Sequence, residues 1–172
     1  MAETMAKDAT KTGKARAGKY LTFKLESEEF GLEILKVQEI IQMQSITRVP
    51  RTPPFVRGVI NLRGKVIPVV DLRLKFAMDH AEDTERTCIV VVQIRNENSV
   101  VVMGTIIDEV REVLDIPEAS IEDTPSFGTS IDTEFILGMG KIGQNVKILL
   151  DIDKVLSAQE LSSVTAAADA PA

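Results

Sequence analysis

A chain of 172 residues with 44% apolar side chains is long enough to pack one domain and too apolar to be disordered throughout. With no Trp and one Tyr it lacks stacking aromatics, and with a net charge of −6 it is not basic across a whole domain, as a nucleic-acid binder is expected to be. The single cysteine, Cys88, rules out an internal disulfide. The charge is unevenly spread. Residues 48–75 carry Arg48, Arg51, Arg57, Arg63, Lys65, Arg73 and Lys75 against Asp71 alone, whereas residues 76–172 hold six basic and eighteen acidic groups. A basic middle and an acidic second half would put opposite potentials on opposite surfaces, which favours oriented protein association. No window approaches a transmembrane span and the N-terminus has no apolar signal core, so a cytoplasmic protein without membrane insertion is expected.

Residues 1–18, rich in Ala, Lys, Thr and Gly, have no apolar period and are expected to form a disordered leader. Order is expected from about residue 19. Leu21, Phe23 and Leu25 alternate with polar residues, as do Phe30, Leu32 and Ile34, so two strands are predicted around a turn at Ser27-Glu28-Glu29. Leu35 to Ile41 breaks the alternation, which fits a short helical turn or bulge leading into a third strand. Ser45 to Val49 continues as extended chain, and Pro50, Pro53 and Pro54 enforce an irregular crossing.

Gly58 to Arg73 reads as a β-hairpin, with the runs Val59–Leu62 and Val66–Val70 flanking Arg63-Gly64. A three-residue loop with Gly64 in the left-handed region is expected, holding Arg63 at an exposed tip. Asp71 to Phe76 reads as a helical turn capped by Asp71. Asp79 to Arg86, with the lone His80, is a polar junction. Cys88 to Ile94 is a strand buried on both faces, with Cys88 as a small core side chain. Val100 to Ile107 returns as a strand, with Gly104 marking a bulge or a close backbone approach. Asp108 to Leu114 is read as extended or irregular, and Pro117 to Asp132 as loop. Phe135–Leu137 and Val146–Leu150 form a further strand–turn–strand unit. A C-terminal helix over 152–163 and a frayed tail over 164–172 complete the expectation.

Two segments superimpose without a gap. Phe55-Val56-Arg57-Gly58 matches Phe135-Ile136-Leu137-Gly138, and Val69-Val70-Asp71-Leu72 matches Leu149-Leu150-Asp151-Ile152, each 80 residues later. The fold expected from this repeat is mainly β: two five-stranded units, about residues 19–79 and 87–151, sharing a core. In the second unit, Gly138-Met139-Gly140-Lys141-Ile142-Gly143 matches G-x-G-x-x-G. That motif serves a dinucleotide only where a strand leads into a helix, and here a strand-like run follows. Asp151 and Asp153 are explained by a strand end and a helix start without a metal. Asp108-Glu109, adjacent on extended chain, cannot act as a pair. No catalytic, cofactor or metal site is read from the sequence. The rival readings are a nucleotide-dependent enzyme using the Gly140 loop and a generic β interaction domain.

The run Phe30 to Ile40, then Arg48-Val49-Pro50 and Pro53, then Gly58 to Arg73 (GVINLRGKVIPVVDLR) resembles the CheW family of bacterial chemotaxis coupling proteins. The resemblance covers about residues 19–160 and includes Glu134 to Gly140. It implies a non-enzymatic adaptor with two barrel-like subdomains around a common core. Its partners would be methyl-accepting chemoreceptors, whose helical-hairpin tip enters the groove between subdomains, and the regulatory domain of the CheA histidine kinase. Carried over position by position, the family's partner-sensitive residues fall on Val37, Glu39, Gly58, Arg63, Gly64 and Gly104. An adaptor of a sister chemosensory system, serving pilus motility for example, is the alternative. On physical grounds Glu39 is expected near Arg63, either steering it toward a partner or forming a plain surface ion pair. Val37 and Ile40 are either apolar contacts for a helix or core.

Overall fold

The structure, a computed structural model, describes residues 17–76, 78, 82–96, 99–124, 135–156 and 160, without the side chains of residues 96 and 99. In chain order the strands are β1 (Gly18–Leu25), β2 (Glu28–Glu33), β3 (Val37–Gln42), β4 (Val56–Leu62), β5 (Lys65–Asp71), β6 (Cys88–Asn96), β7 (Ser99–Ile107), β8 (Glu109–Ile116), β9 (Ile121–Glu122), β10 (Ile136–Ile142) and β11 (Asn145–Leu150). They form two open sheets, ordered β8-β1-β2-β11-β10-β9 and β3-β6-β7-β5-β4. The expected mainly-β class holds. One sheet has six strands because the two-residue β9 joins it, and the order of each sheet is linear, so neither is a closed barrel.

Alternation along the strands explains how two small sheets stay stable. Side chains at i and i+1 point to opposite faces, and both faces of the central strands are covered. On β6, Val90, Val92 and Ile94 enter a core between the sheets, while Ile89 and Val91 enter a smaller cluster with Ile60, Ile67, Val69 and Ile106. On β1, Leu21, Phe23 and Leu25 face the shared core, while Tyr20 joins Ile116, Leu137 and Leu149 in the other small cluster. Each sheet therefore curls over a core of its own and packs on a third. This is why Cys88 to Ile94 reads as a continuous apolar run.

The repeat is visible in the pairing. Val56↔Val70, Gly58↔Val69 and Leu62↔Lys65 on the first hairpin recur as Ile136↔Leu150, Gly138↔Leu149 and Ile142↔Asn145 on the second, with the same register shift after the first pair. Asp71 N donates to Phe55 O at 2.7 Å, and Asp151 N to Phe135 O at 2.8 Å. The next strand over is parallel in both cases: Val69↔Gly104 in one sheet, Leu149↔Gly31 in the other.

The sheets divide the chain differently from the expected units 19–79 and 87–151. The β3–β7 sheet is one continuous segment, inserted between β1–β2 and β8–β11, which together build the other sheet. The crossings fall at the 3-10 turn Ile34–Lys36 and at Asp108. The polar stretch before β6 is thus a connection within one sheet. The parallel pairings explain why, since parallel neighbours require a long crossover and so recruit segments distant in sequence.

Several elements match their sequence signals. Asp71 caps the short helix Leu72–Lys75, accepting from Arg73 N. Glu109–Ile116, read as extended or irregular, is a full strand paired to β1. Its Glu109, Arg111, Glu112 and Asp115 mask the alternation because β8 is an edge strand. Of the expected helix over 152–163, the described part is a 3-10 turn, Ile152–Lys154, followed by buried Val155 and Leu156, and then Glu160. Residues 1–16 of the expected leader, the expected tail at 164–172, residues 125–134 and His80 lie outside the described residues.

Candidate functional site: the β4–β5 tip

The hairpin closes at Leu62↔Lys65, so Arg63-Gly64 is a two-residue loop. The expected three-residue loop is corrected for a backbone reason. Both residues take positive φ, 51° at Arg63 and 87° at Gly64, the pattern of a type I′ turn whose twist matches the strands. Asn61 Oδ1 accepts from Gly64 N at 2.8 Å and braces the turn. Gly64 stands in open space, so its role is conformational. A left-handed backbone is unusual for an arginine. At the repeat position Gly143 has φ 62°, and there the fold uses the residue that adopts it freely.

The side chain of Arg63 is 71% exposed yet fixed at its far end. Its Nη1 and Nη2 donate to Glu39 Oε2 and Oε1 at 2.5 and 2.6 Å, a fork that defines the plane of the guanidinium. The hydrogen bonds and charge of Arg63 hold the Glu39 carboxyl below its ordinary value, and Glu39 in turn raises Arg63. The expected proximity of Glu39 and Arg63 is therefore observed.

Glu39 reaches that position through a β-bulge. Val37 pairs with Val92 and Glu39 with Val91, leaving Gln38 as the extra residue. Without the bulge, Val37 and Glu39 would share a face. With it, Val37 packs against the shared core and Glu39 points to the opposite side of the sheet. Val37 and Glu39 thus do not form one surface. Ile40 is 45% exposed, so a plain core reading of it is set aside.

Gly58 and Gly104 are packing positions, not surface. A Cβ on Gly58, whose φ is 141°, would stand 2.1 Å from Thr47 O, where Thr47 and Val59 exchange two backbone hydrogen bonds of 2.9 Å. A Cβ on Gly104 would stand 2.7 Å from Ile89 Cγ2, inside the small core. Of the six residues singled out, the structure brings together Glu39, Arg63 and Gly64.

Sequence reading missed an ion network around the buried pair Arg73 and Asp71. Arg73, 1% exposed, donates through Nε and Nη2 to both oxygens of Asp71 at 3.1 Å, through Nη1 to Asp108 at 2.9 Å and through Nη2 to Asp83 at 3.2 Å. Arg57 bridges Asp71 and Asp83 at 3.0 and 3.1 Å. Burial pushes the Asp83 carboxyl up, but hydrogen bonds from Arg57 and Arg73 outweigh it and hold it low. Burial also disfavours the Arg73 charge, and Asp71, Asp83 and Asp108 together more than restore it. Arg57 and Arg73 belong to the basic stretch 48–75 on which the expected surface potential rests. In fact Arg57, Arg63, Arg73 and Lys75 each end on a carboxylate, which leaves less opposite potential between surfaces than the sequence implies. The available signal was Asp71-x-Arg73, a capping acid with an arginine two residues on.

The other candidates resolve into structure. Gly138–Gly143 runs along β10 into the turn before β11, with no helix following, so the dinucleotide reading has no N-terminus to use. Asp153 accepts from Lys36 Nζ at 2.7 Å and from Arg95 N at 2.9 Å. Asp151 caps the turn by accepting from Asp153 N; burial, then the Asp153 charge, pushes its carboxyl up. Cys88 is half-buried against the shared core, and burial raises its thiol. No helix among the described residues is long and apolar enough to cross a membrane.

Two open sheets on a common core, with an ion pair fixed at a hairpin tip, define a mainly-β domain built on an internal repeat. The profile of the CheW-like domain matches residues 19–160. The chemotaxis protein CheW of Klebsiella aerogenes is 38% identical over 152 residues, covering 88% of this chain and 89% of the relative. That of Thermotoga maritima is 32% identical over 139 residues, covering 79% and 85%. A crystal structure of the scaffolding protein TtCheW from Thermoanaerobacter tengcongensis superimposes with a TM-score of 0.74 at 36% identity, covering 84% of this chain and 96% of that one. The chain belongs to the CheW family and is a chemotaxis scaffold, an adaptor in signal transduction.

Proposed function

We propose that this adaptor joins the cytoplasmic tip of methyl-accepting chemoreceptors to a CheA-type histidine kinase through the kinase's regulatory domain. It acts in the cytoplasm, at the receptor array, as a non-catalytic part held there by its partners. The observation that carries the reading is the contrast between the two hairpins. The fold is content with glycine at residue 143, and the equivalent Arg63 is left-handed, exposed and aimed by a carboxylate. A planar guanidinium whose two Nη atoms are held by Glu39 offers its remaining N–H groups in a set direction, which suits recognition of carbonyl or carboxylate oxygens on a helix. Val66, 53% exposed on the same hairpin, supplies apolar contact beside it. That the curated relatives are named as chemotaxis proteins favours this output over pilus motility.

Co-sedimentation with CheA and receptor fragments tests the reading. Arg63→Ala is expected to drop out of the pellet while its melting temperature stays within a few degrees of the parent. Retained co-sedimentation with a large fall in melting temperature would sink it.

A further inference from the structure

The repeat extends to the places where the chain changes sheet. Arg73 and Asp153 occupy equivalent positions, each two residues past a capping aspartate that accepts its N–H, at 3.0 Å for Asp71 and 3.1 Å for Asp151. The strands paired parallel to β5 and β11 are β7 and β2. Both then leave their sheet, β7 at Asp108 and β2 through the turn Ile34–Lys36. Each equivalent residue reaches the crossing beside it, with the charges reversed. Arg73 Nη1 donates to Asp108 at 2.9 Å, and Lys36 Nζ donates to Asp153 at 2.7 Å. Both aspartates also fasten a second element. Asp108 accepts from Glu26 N, in the turn between β1 and β2, at 2.6 Å, and Asp153 accepts from Arg95 N on β6 at 2.9 Å.

The two clasps differ in how firmly they hold. Arg73 is 1% exposed and is gripped by Asp71, Asp83 and Asp108 together, so water does not replace its partners. Lys36 and Asp153 are 23% and 26% exposed, and water competes at both ends of that pair. The turn that Lys36 holds has no buried side chain and no side-chain cap, and it closes on one backbone bond, Val37 N–H to Ile34 O. It carries Leu35, 93% exposed. We infer that the two crossings are a locked joint and a releasable latch: Arg73 fixes the second crossing to the fold, and the Lys36–Asp153 pair holds the first as a strap that lets go while both sheets stay folded. Asp153 is the positioning residue of the strap, and release frees Leu35 and the entry to β3. The latch stands apart from the partner reading of Arg63.

Native-state amide exchange, read residue by residue by NMR on the full chain, tests this. Lys36→Met keeps the apolar stem and removes the charge. Asp153→Asn keeps an acceptor for Arg95 N and removes the carboxylate. In each variant exchange at Val37, whose N–H closes the strap, should quicken about threefold to fivefold, the weight of a partly exposed ion pair. Exchange at Glu26 and Asp108, which report the locked crossing, should stay at the rate of the parent protein. The double variant should go no further than either single one, because both delete the same bond. Unchanged exchange at Val37 in both variants would overturn the latch. Equal quickening at Val37, Glu26 and Asp108 would overturn it too, since that pattern is a loss of global stability and not the release of one turn.

Discussion

Arg63 occupies a backbone conformation that glycine fills at the matching site, and it is held there by one carboxylate. This makes the pair sensitive to pH in a defined direction. The folded-state pKa of Glu39 is depressed, so its interaction with Arg63 is present above the ordinary carboxylate value and is lost as pH falls through the depressed value. Partner binding should therefore hold at pH 5 and fall only in more acid solution, as receptor-fragment binding measured down to the limit of the partner's own stability would show. Asp151 has the opposite sign. Its raised pKa means that the fold favours the protonated form and that ionisation at neutral pH works against stability. Asp151→Asn keeps an acceptor for Asp153 N and removes repulsion by Asp153. A modest rise in melting temperature at pH 7, shrinking as pH falls and Asp151 itself becomes protonated, is expected by calorimetry.

At the scale of elements, the two hairpins share register, bulge position and end cap, and differ at their tips. Glycines outside the tip serve packing. Gly104→Ala drives a methyl into Ile89 and is predicted to cost about 1–3 kcal/mol, as overpacking does. Gly58→Ala meets the Thr47 carbonyl at a strained φ and should cost at least as much. Denaturant unfolding of the two variants checks both, and any loss of partner binding should follow the loss of folded protein. The hairpins, the capped helix and the strand Cys88–Asn96 were legible because alternation, Gly and Asp signals act locally. The strand Glu109–Ile116 was not, because an edge strand carries charges on positions that a central strand gives to the core. The turn at Arg63-Gly64 was misjudged because an arginine in the left-handed region runs against local preference, and only the closed register with its Asn61 brace shows why it is tolerated.

At the scale of the molecule, the sheets interlock through a chain that leaves one at residues 34–36 and returns at Asp108. That return point is tied to buried Arg73. Arg73→Ala would leave Asp71, which is fully buried, facing Arg57 alone. A loss of about 3–5 kcal/mol is predicted, the range for breaking a buried pair. Replacing Asp71 as well, with an apolar residue of similar size, should recover part of it. The sequence showed the family and the repeat, but not which segments share a sheet, because the parallel pairs β2/β11 and β5/β7 join strands remote in the chain. Nor did it show that Gly58, Gly104 and Val37 serve packing while Glu39 and Arg63 form the surface constellation, since burial is a property of the closed fold.

The central claim is that the tip arginine serves a partner and not the fold. Arg63→Gly tests it most directly, because glycine relieves the left-handed backbone while deleting the guanidinium. Calorimetric titration of this variant against the receptor hairpin fragment, with its melting temperature measured in parallel, should show unchanged or higher stability with affinity reduced by about tenfold or more, the weight of a central interface arginine. Affinity equal to that of the parent protein would contradict the account.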